Sequence, residues 1–140
     1  MKHETGAVLF TVNLKSLATF YERVVGMRVG TTADDHISLE TGSFRLTVHA
    51  IPERHAKNIK IKTPPVIREA AAVKMAFRVK DIAQARAIAA QLGGAVYAAD
   101  REWRYEGNTI CDGYDPDGNV FQLWQGPQAQ ARIKQRSLMS

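Results

Sequence analysis

The sequence has little cysteine and no long apolar run, and each absence excludes a class of protein. The single cysteine, Cys111, cannot form an intramolecular disulfide or a metal site built from several cysteines. No stretch approaches the roughly 18 apolar residues that a membrane-spanning helix needs. The N-terminal residues contain no apolar signal-peptide core. We therefore expect a cytoplasmic protein without a membrane partner.

The composition is otherwise that of an ordinary folded domain. Of the 140 residues, 45% are hydrophobic and 24% are charged, which argues against disorder and against a coiled coil. The net charge of +5 arises mainly from the segment 53–69 and from Arg132, Lys134 and Arg136 near the C-terminus. Base-reading side chains do not accompany these basic residues, so we predict no nucleic-acid partner. Binding of a nucleic acid or a protein through them is the weakest of three functional hypotheses.

An internal repeat predicts the secondary structure. A strand followed by a helix returns sixty-seven residues further along, matching Val8 with Met75, Phe10 with Phe77, Val12 with Val79 and Gly26 with Gly93. The helices are predicted at 16–25 and 82–92, with Ser16 and Asp81 as N-caps and glycine after each helix. Further strands are predicted at 27–30, 36–40, 44–49, 95–98, 108–112 and 119–125. Each half therefore has the order β-α-β-β-β, which indicates an α+β fold.

The predicted organisation is one domain with a tail. The domain covers residues 1–125, with module one at 6–50, a polar linker at 51–72 and module two at 73–125. Two consecutive prolines favour an extended linker. The tail, 126–140, is polar and basic.

Alternation along each strand predicts which side chains lie under the helix. In the first strand these are the apolar residues Val8, Phe10 and Val12. The opposite face of that strand is then left with Ala7, Leu9 and Thr11. In later strands the opposite face receives Arg45, Thr47, His49, Lys74, Arg78, Gln122 and Trp124. Because this face is polar and partly cationic, it is typical of a ligand cleft.

Cationic and aromatic side chains are the candidate ligand contacts. Arg45, Lys74 and Arg78 suit a carboxylate or phosphate; alternatively, they lie on a water-exposed sheet face or form salt bridges across a dimer. Trp103 and Tyr105 precede the seventh predicted strand, where they either stack on a flat ligand or pack under a loop. Cys111 is predicted to be a small buried residue because no base is placed beside it in sequence.

Three features together resemble the vicinal oxygen chelate superfamily. They are the strand-helix opening with Phe20-Tyr21 and Gly26, the second such opening at 75–94, and the turn Asp115-Pro116-Asp117-Gly118-Asn119 before the last strand. The superfamily includes glyoxalase I, bleomycin-resistance proteins, fosfomycin-resistance enzymes and extradiol dioxygenases. The resemblance covers residues 6–125 and implies two βαβββ modules in a curved mixed sheet around a cleft, commonly in a homodimer.

The resemblance also implies where a metal would bind. Metal enzymes of the superfamily usually place ligands on the first, fourth, fifth and eighth strands. Here those positions fall on Ala7, Thr47 (or Arg45), Lys74 and Gln122. Alanine cannot ligate, protonated lysine repels a cation, and glutamine offers only a neutral oxygen. We therefore predict no metal and no cofactor, since His49 alone does not make a site and His36 and His55 lack ligand-like spacing.

Two further hypotheses concern a small molecule. The first is a metal-free binding protein of the bleomycin-resistance type, with a cleft suited to an anionic or aromatic ligand. The alternative is a glyoxalase- or dioxygenase-like enzyme, a lyase or an oxidoreductase, with a non-standard or metal-free site that uses Lys74, His49 or Tyr114 in proton transfer. The residues predicted to bind the ligand are Arg45, His49, Lys74, Arg78, Trp103, Tyr105, Gln122 and Trp124.

Overall fold

A computed structural model describes residues 5–127, so the basic residues of the predicted tail lie outside the described part. The elements in chain order are β1 (Thr5–Thr11), α1 (Leu14–Val25), β2 (Arg28–Thr32), β3 (His36–Thr41), β4 (Phe44–Ala50), α2 (Glu53–Ala56), β5 (Met75–Arg78), α3 (Ile82–Gln91), β6 (Ala95–Val96), β7 (Trp103–Tyr105), β8 (Asn108–Tyr114) and β9 (Val120–Gln125). The linker thus contains one short helix, and β7 is a strand that the sequence pattern did not predict.

The strands form two separate sheets with the same connectivity. The first sheet has the order β1-β4-β3-β2, and the second has the order β5-β9-β8-β6 with β7 added to β8. In each sheet the strand before the long helix runs parallel to the last strand of its module, whereas the neighbours along the chain pair antiparallel. The α+β fold of two βαβββ modules is therefore confirmed. It takes the form of two open sheets.

The two helices differ in how well the sequence predicted their starts. Asp81 caps α3 as predicted, because its side chain accepts a hydrogen bond from the backbone N–H of Gln84. The prediction of Ser16 as the N-cap of α1 is wrong. The helix begins two residues earlier, at Leu14, and the flanking Asn13 makes no side-chain cap bond. Gly26 ends α1 with a φ of 80°, a conformation that glycine adopts without strain.

The helices form a middle layer between the sheets. Helix α1 packs on β3 and β4 of the first sheet. Its Phe20 and Tyr21 rings also contact Phe121 and Phe77 of the second sheet, with ring centroids 5.8–5.9 Å apart. One hydrophobic core therefore receives side chains from both sheets. The face of each sheet that points away from this core is called its open face below.

Strand β1 has the opposite orientation from the predicted one. Val8 and Phe10 are 53% and 61% exposed, and they lie on the open face of the first sheet. Ala7 and Leu9 instead pack against the core, because β1 runs parallel to β4 and they pair with the fully buried Leu46 and Val48. The assignment of Val8 and Phe10 to the helix side, and of Ala7, Leu9 and Thr11 to the other, is therefore wrong.

A buried polar network joins the two modules through the turn before β9. Tyr21 donates its hydroxyl proton to the Asp115 carboxylate at 2.6 Å, and Thr11 donates to Asp117 at 2.7 Å. The backbone N–H groups of Asp117 and Asn119 also bond to Asp115 at 2.9 and 3.0 Å. Burial raises the pKa of Asp115, and the hydrogen bonds from Tyr21 and Asn119 oppose this rise. Burial beside that carboxylate raises the pKa of Tyr21 well above its ordinary value.

Candidate functional site

The open face of the second sheet brings six of the eight predicted ligand residues together. Strand β5 pairs with β9 so that Arg78 lies beside Trp124 and Ala76 beside Gln122. Lys74 immediately precedes β5. Strand β8 pairs Ile110 with Trp124 on one side and with Trp103 of β7 on the other. The six residues on this face are Lys74, Arg78, Trp103, Tyr105, Gln122 and Trp124.

A chain of hydrogen bonds runs across this face. The Lys74 ammonium donates to Asp112 Oδ2 at 2.7 Å. Gln122 donates its amide N–H to Asp112 Oδ1 at 3.3 Å, and the Trp124 indole N–H donates to Gln122 Oε1. The carboxylate compensates the positive charge of Lys74 through this ion pair. Lys74 is therefore a weaker anion-binding group than the sequence suggested.

Arg78 is the cation of this face that keeps its charge uncompensated. Its Nη1 donates to the neutral amide oxygen of Asn108 at 3.0 Å. Within residues 5–127, no carboxylate forms an ion pair with it. Asn108 is itself oriented by hydrogen bonds from its amide to the carbonyls of Tyr105 and Glu106. The guanidinium is thus held in one place, and its other N–H donors are available for a carboxylate or phosphate.

Aromatic rings flank Arg78 on the same face. Tyr105 and Trp124 meet edge to face, with centroids 6.0 Å apart. Trp103 and Tyr105 are 41% and 54% exposed, so the described residues do not bury them under a loop. Large exposed aromatic groups beside a fixed cation are typical of a surface that binds a flat ligand or a protein.

The other two predicted ligand residues lie on the open face of the first sheet. Arg45 is 3.7 Å from the Glu40 carboxylate, which also accepts a hydrogen bond from Arg28 at 2.7 Å. His49 lies beside the Phe10 ring, with a centroid distance of 5.7 Å. Because the helical layer separates the sheets, a single chain does not bring Arg45 and His49 next to the other six residues.

The residues at the metal positions of the superfamily do not fit a metal ion. Ala7 faces the core, and Thr47 of β4 offers only a hydroxyl on the open face of the first sheet. On the second sheet, the ammonium of Lys74 already occupies the cation-binding side of the Asp112 carboxylate, and Gln122 supplies a neutral amide. A positively charged group at this place opposes metal binding.

The nucleophile candidate is buried, whereas the proton-transfer candidates Lys74 and His49 are partly exposed. Cys111 is fully buried as predicted, and burial raises the pKa of its thiol. No hydrogen bond links Lys74, His49 and Tyr114 in the described part of the chain. The sequence analysis missed Asp112 and Asn108, which position Lys74 and Arg78. Alternation along β8 from Asn108 places both on the same face and is the signal that identifies them.

A separate groove of about 720 Å³ lies between the C-terminal end of α1 and the N-terminal end of α3. Its lining includes Arg23, Thr41, Lys80, Asp81, Gln84 and the edge residue Arg78, and none of the described residues that line it is aromatic. A flat aromatic ligand therefore finds no stacking partner in this groove, in contrast to the open face of the second sheet.

Two βαβββ modules, each with its long helix against one face of a mixed sheet, define the vicinal oxygen chelate class of proteins. The profile of the glyoxalase-like domain family matches residues 7–124. Because this match covers most of the chain, the protein belongs to the glyoxalase-like domain family. No curated protein matches the sequence.

Solved structures with low sequence identity share this fold. A glyoxalase/bleomycin resistance protein/dioxygenase family enzyme from Burkholderia phytofirmans is 16% identical, with a TM-score of 0.64 over 89% of this chain and 99% of that chain. A glyoxalase/bleomycin resistance protein from Albidiferax ferrireducens is 15% identical, with a TM-score of 0.62 over 88% and 98%. A bleomycin-binding protein complexed with bleomycin is 22% identical, with a TM-score of 0.55 over 91% and 100%. Within residues 5–127, no helix is long and apolar enough to cross a membrane.

Proposed function

We propose that the protein binds a small molecule with an anionic group and a flat aromatic part on the open face of the second sheet. The observation that carries this proposal is the guanidinium of Arg78, held by Asn108 and flanked by Tyr105 and Trp124. An arginine binds a carboxylate or phosphate through two parallel N–H bonds, whereas the rings bind an aromatic plane. The protein then needs no metal for binding.

We propose further that a second copy of this chain supplies the other wall of the cleft. Phe10 and Val8 expose apolar surface on the open face of the first sheet, and Trp103 and Tyr105 do so on that of the second. A twofold axis that brings the first sheet of one copy against the second sheet of the other buries both surfaces and creates two equal clefts. Arg45 and His49 then line the same cleft as the partner's copy of the other six residues.

The comparisons support small-molecule binding at the level of the fold. The bleomycin-binding protein with bleomycin carries a small molecule on the same architecture, although a shared fold does not define the ligand. No feature of the described residues favours the enzyme hypothesis over binding. A location in the cytoplasm stays a prediction from the sequence.

Calorimetry with naphthalene-2-carboxylate tests the proposed contact. The wild-type protein is expected to bind this anion and to bind naphthalene-2-carboxamide, which has the same ring without the charge, at least tenfold more weakly. Arg78→Met is expected to weaken binding of the carboxylate by about tenfold. This corresponds to the lower end of the range of about 1.5–3 kcal/mol for a charge-assisted hydrogen bond, because Arg78 is exposed.

The matched control is Arg104→Met. Arg104 lies on β7 between Trp103 and Tyr105, but it pairs with Thr109 and so points away from the face that carries those two rings. Its loss should leave the affinity unchanged. If both variants weaken binding of the carboxylate equally, the effect comes from the net charge of the protein. If Arg78→Met does not weaken binding, Arg78 is not part of the site.

A further inference from the structure

Three potential metal ligands meet at the end of the β3–β4 hairpin, away from the proposed ligand contacts around Arg78. They are Asp35, His36 and His49, and their ligand atoms all lie within 4.8 Å of one another. His36 Nδ1 is 2.8 Å from Asp35 Oδ1, and His49 Nε2 is 3.7 Å from Asp35 Oδ2. The two imidazole rings are nearly parallel, with an interplanar angle of 12° and centroids 5.9 Å apart.

The hairpin fixes this arrangement. Its tight turn pairs Thr41 with Phe44, and the antiparallel register then pairs His36 with His49 on the open face of the first sheet. The backbone holds the third member, because the N–H of Ala50 donates to the Asp35 carbonyl at 2.7 Å. The cluster therefore belongs to ordered backbone on both strands.

The orientation of His49 favours a metal. Its Nδ1 is 2.8 Å from the carbonyl oxygen of Ala50. A carbonyl only accepts hydrogen bonds, so Nδ1 carries a proton, and Nε2, which faces Asp35, is the ring nitrogen left to bind an ion. A backbone carbonyl that orients a histidine in this way is a common feature of protein metal sites, where it fixes the tautomer and the ring.

The distances are close to those of a metal-bound set. Zinc binds nitrogen and oxygen ligands at about 2.0–2.1 Å, which places tetrahedral ligand atoms about 3.4 Å apart. The side chains of His36 and His49 are 35% exposed and that of Asp35 is 67% exposed. They are thus free to rotate by the ångström or so that closure around an ion requires.

We propose that Asp35, His36 and His49 bind one divalent transition-metal ion, with Zn²⁺ as the best match to two imidazoles and one carboxylate. Three protein ligands leave a fourth position for water or for an exchangeable group. The site differs from the superfamily positions at Ala7, Thr47, Lys74 and Gln122. Within one chain it lies on the other sheet from Arg78, whereas in the proposed dimer His49 also lines the shared cleft. The sequence analysis missed it because His36 and His49 are neighbours only through the hairpin register.

Titration of the untagged, chelator-treated full chain with Zn²⁺ in a calorimeter tests the proposal. One equivalent is expected to bind with a dissociation constant of about 10 µM or lower. His36→Gln and His49→Gln are each expected to weaken binding at least tenfold, since even an outer-shell partner of a metal ligand contributes that much. His55→Gln, a surface variant on α2 outside the cluster, is the matched control and should bind like the wild type.

A second measurement separates ligation from a structural effect. In NMR spectra of the histidine side chains, Zn²⁺ should shift the ring nitrogens of His36 and His49 and leave those of His55 in place. Circular dichroism of each variant verifies that it is folded. The proposal is overturned if no stoichiometric binding occurs, if both cluster variants bind like the wild type, or if the shifted rings belong to other histidines.

Discussion

Removal of the Tyr21 hydroxyl tests the network that joins the two modules. Tyr21→Phe keeps the ring contacts with Phe77 and Phe121 and deletes only the hydrogen bond to Asp115. Both partners are fully buried, so water cannot replace the lost donor. A hydrogen bond to a charged group contributes about 1.5–3 kcal/mol to stability. We therefore expect Tyr21→Phe to lower the free energy of unfolding by about 2 kcal/mol at pH 7.

The loss should depend on pH in a defined direction. The pKa of Asp115 in the folded protein lies above that of an unfolded aspartate, near 3.9. Its ionisation therefore reduces stability as pH rises from the unfolded value through the folded one. Without Tyr21 the ionised form loses a donor, so the folded pKa rises further and this cost increases. At pH 4 a larger fraction of the folded carboxyl is protonated than at pH 7, so Tyr21→Phe should cost less there than at pH 7.

Urea unfolding at pH 4 and pH 7 measures both values. For a domain of this size, about 2 kcal/mol corresponds to a decrease in Tm of roughly 8 °C. Tyr105→Phe is the matched control, because the Tyr105 hydroxyl makes no hydrogen bond within the described residues, and it should change stability by less than about 0.5 kcal/mol. A loss for Tyr21→Phe that equals the control, or one that is larger at pH 4 than at pH 7, would refute the reasoning.

Two further variants test the linker and the assembly. A Cβ at Gly118 would lie 2.0 Å from the Val66 carbonyl oxygen at a φ of +86°, so Gly118→Ala should lower the free energy of unfolding in urea by about 3 kcal/mol. The control Gly107→Ala, with a φ of +78° and open space around it, should lower it by only about 1 kcal/mol. Equal losses would contradict the close approach of the linker to Gly118. Phe10→Asp should convert the dimer to a monomer in sedimentation velocity, because it places a charge on the open face of the first sheet. The control Val66→Asp, in the linker, should remain dimeric. A wild-type protein that sediments as a monomer would contradict the shared cleft.

The internal repeat predicted the two-module fold because helix stops and strand alternation are local signals. The same repeat misplaced β1. The alignment of Val8 with Met75 uses the spacing of 67 residues between the glycines that end the two helices. In the structure the residues that face the core match at a spacing of 68, so that Leu9 corresponds to Phe77 and Thr11 to Val79. A shift of one residue reverses the faces of a strand, so Phe10 was assigned to the core when it lies on the open face.

The candidate site was partly predictable for the same reason. Arg78 and Trp124 alternate with buried neighbours in strands that pair directly, so the alternation along each strand predicted their face correctly. The ion pair of Lys74 with Asp112 depends on the order of strands in the sheet, which no local pattern encodes. The separation of Arg45 and His49 from the other residues depends on the helices packing between the sheets, a long-range property of the core.

The most direct test of the proposed function is a crystal structure of the protein with naphthalene-2-carboxylate. The account predicts the carboxylate on the guanidinium of Arg78 and the ring against Tyr105 and Trp124. It also predicts that the first sheet of a second copy closes the cleft. A ligand bound instead in the groove between α1 and α3, beside Arg23, or a cleft left open by the neighbouring copy, would contradict it.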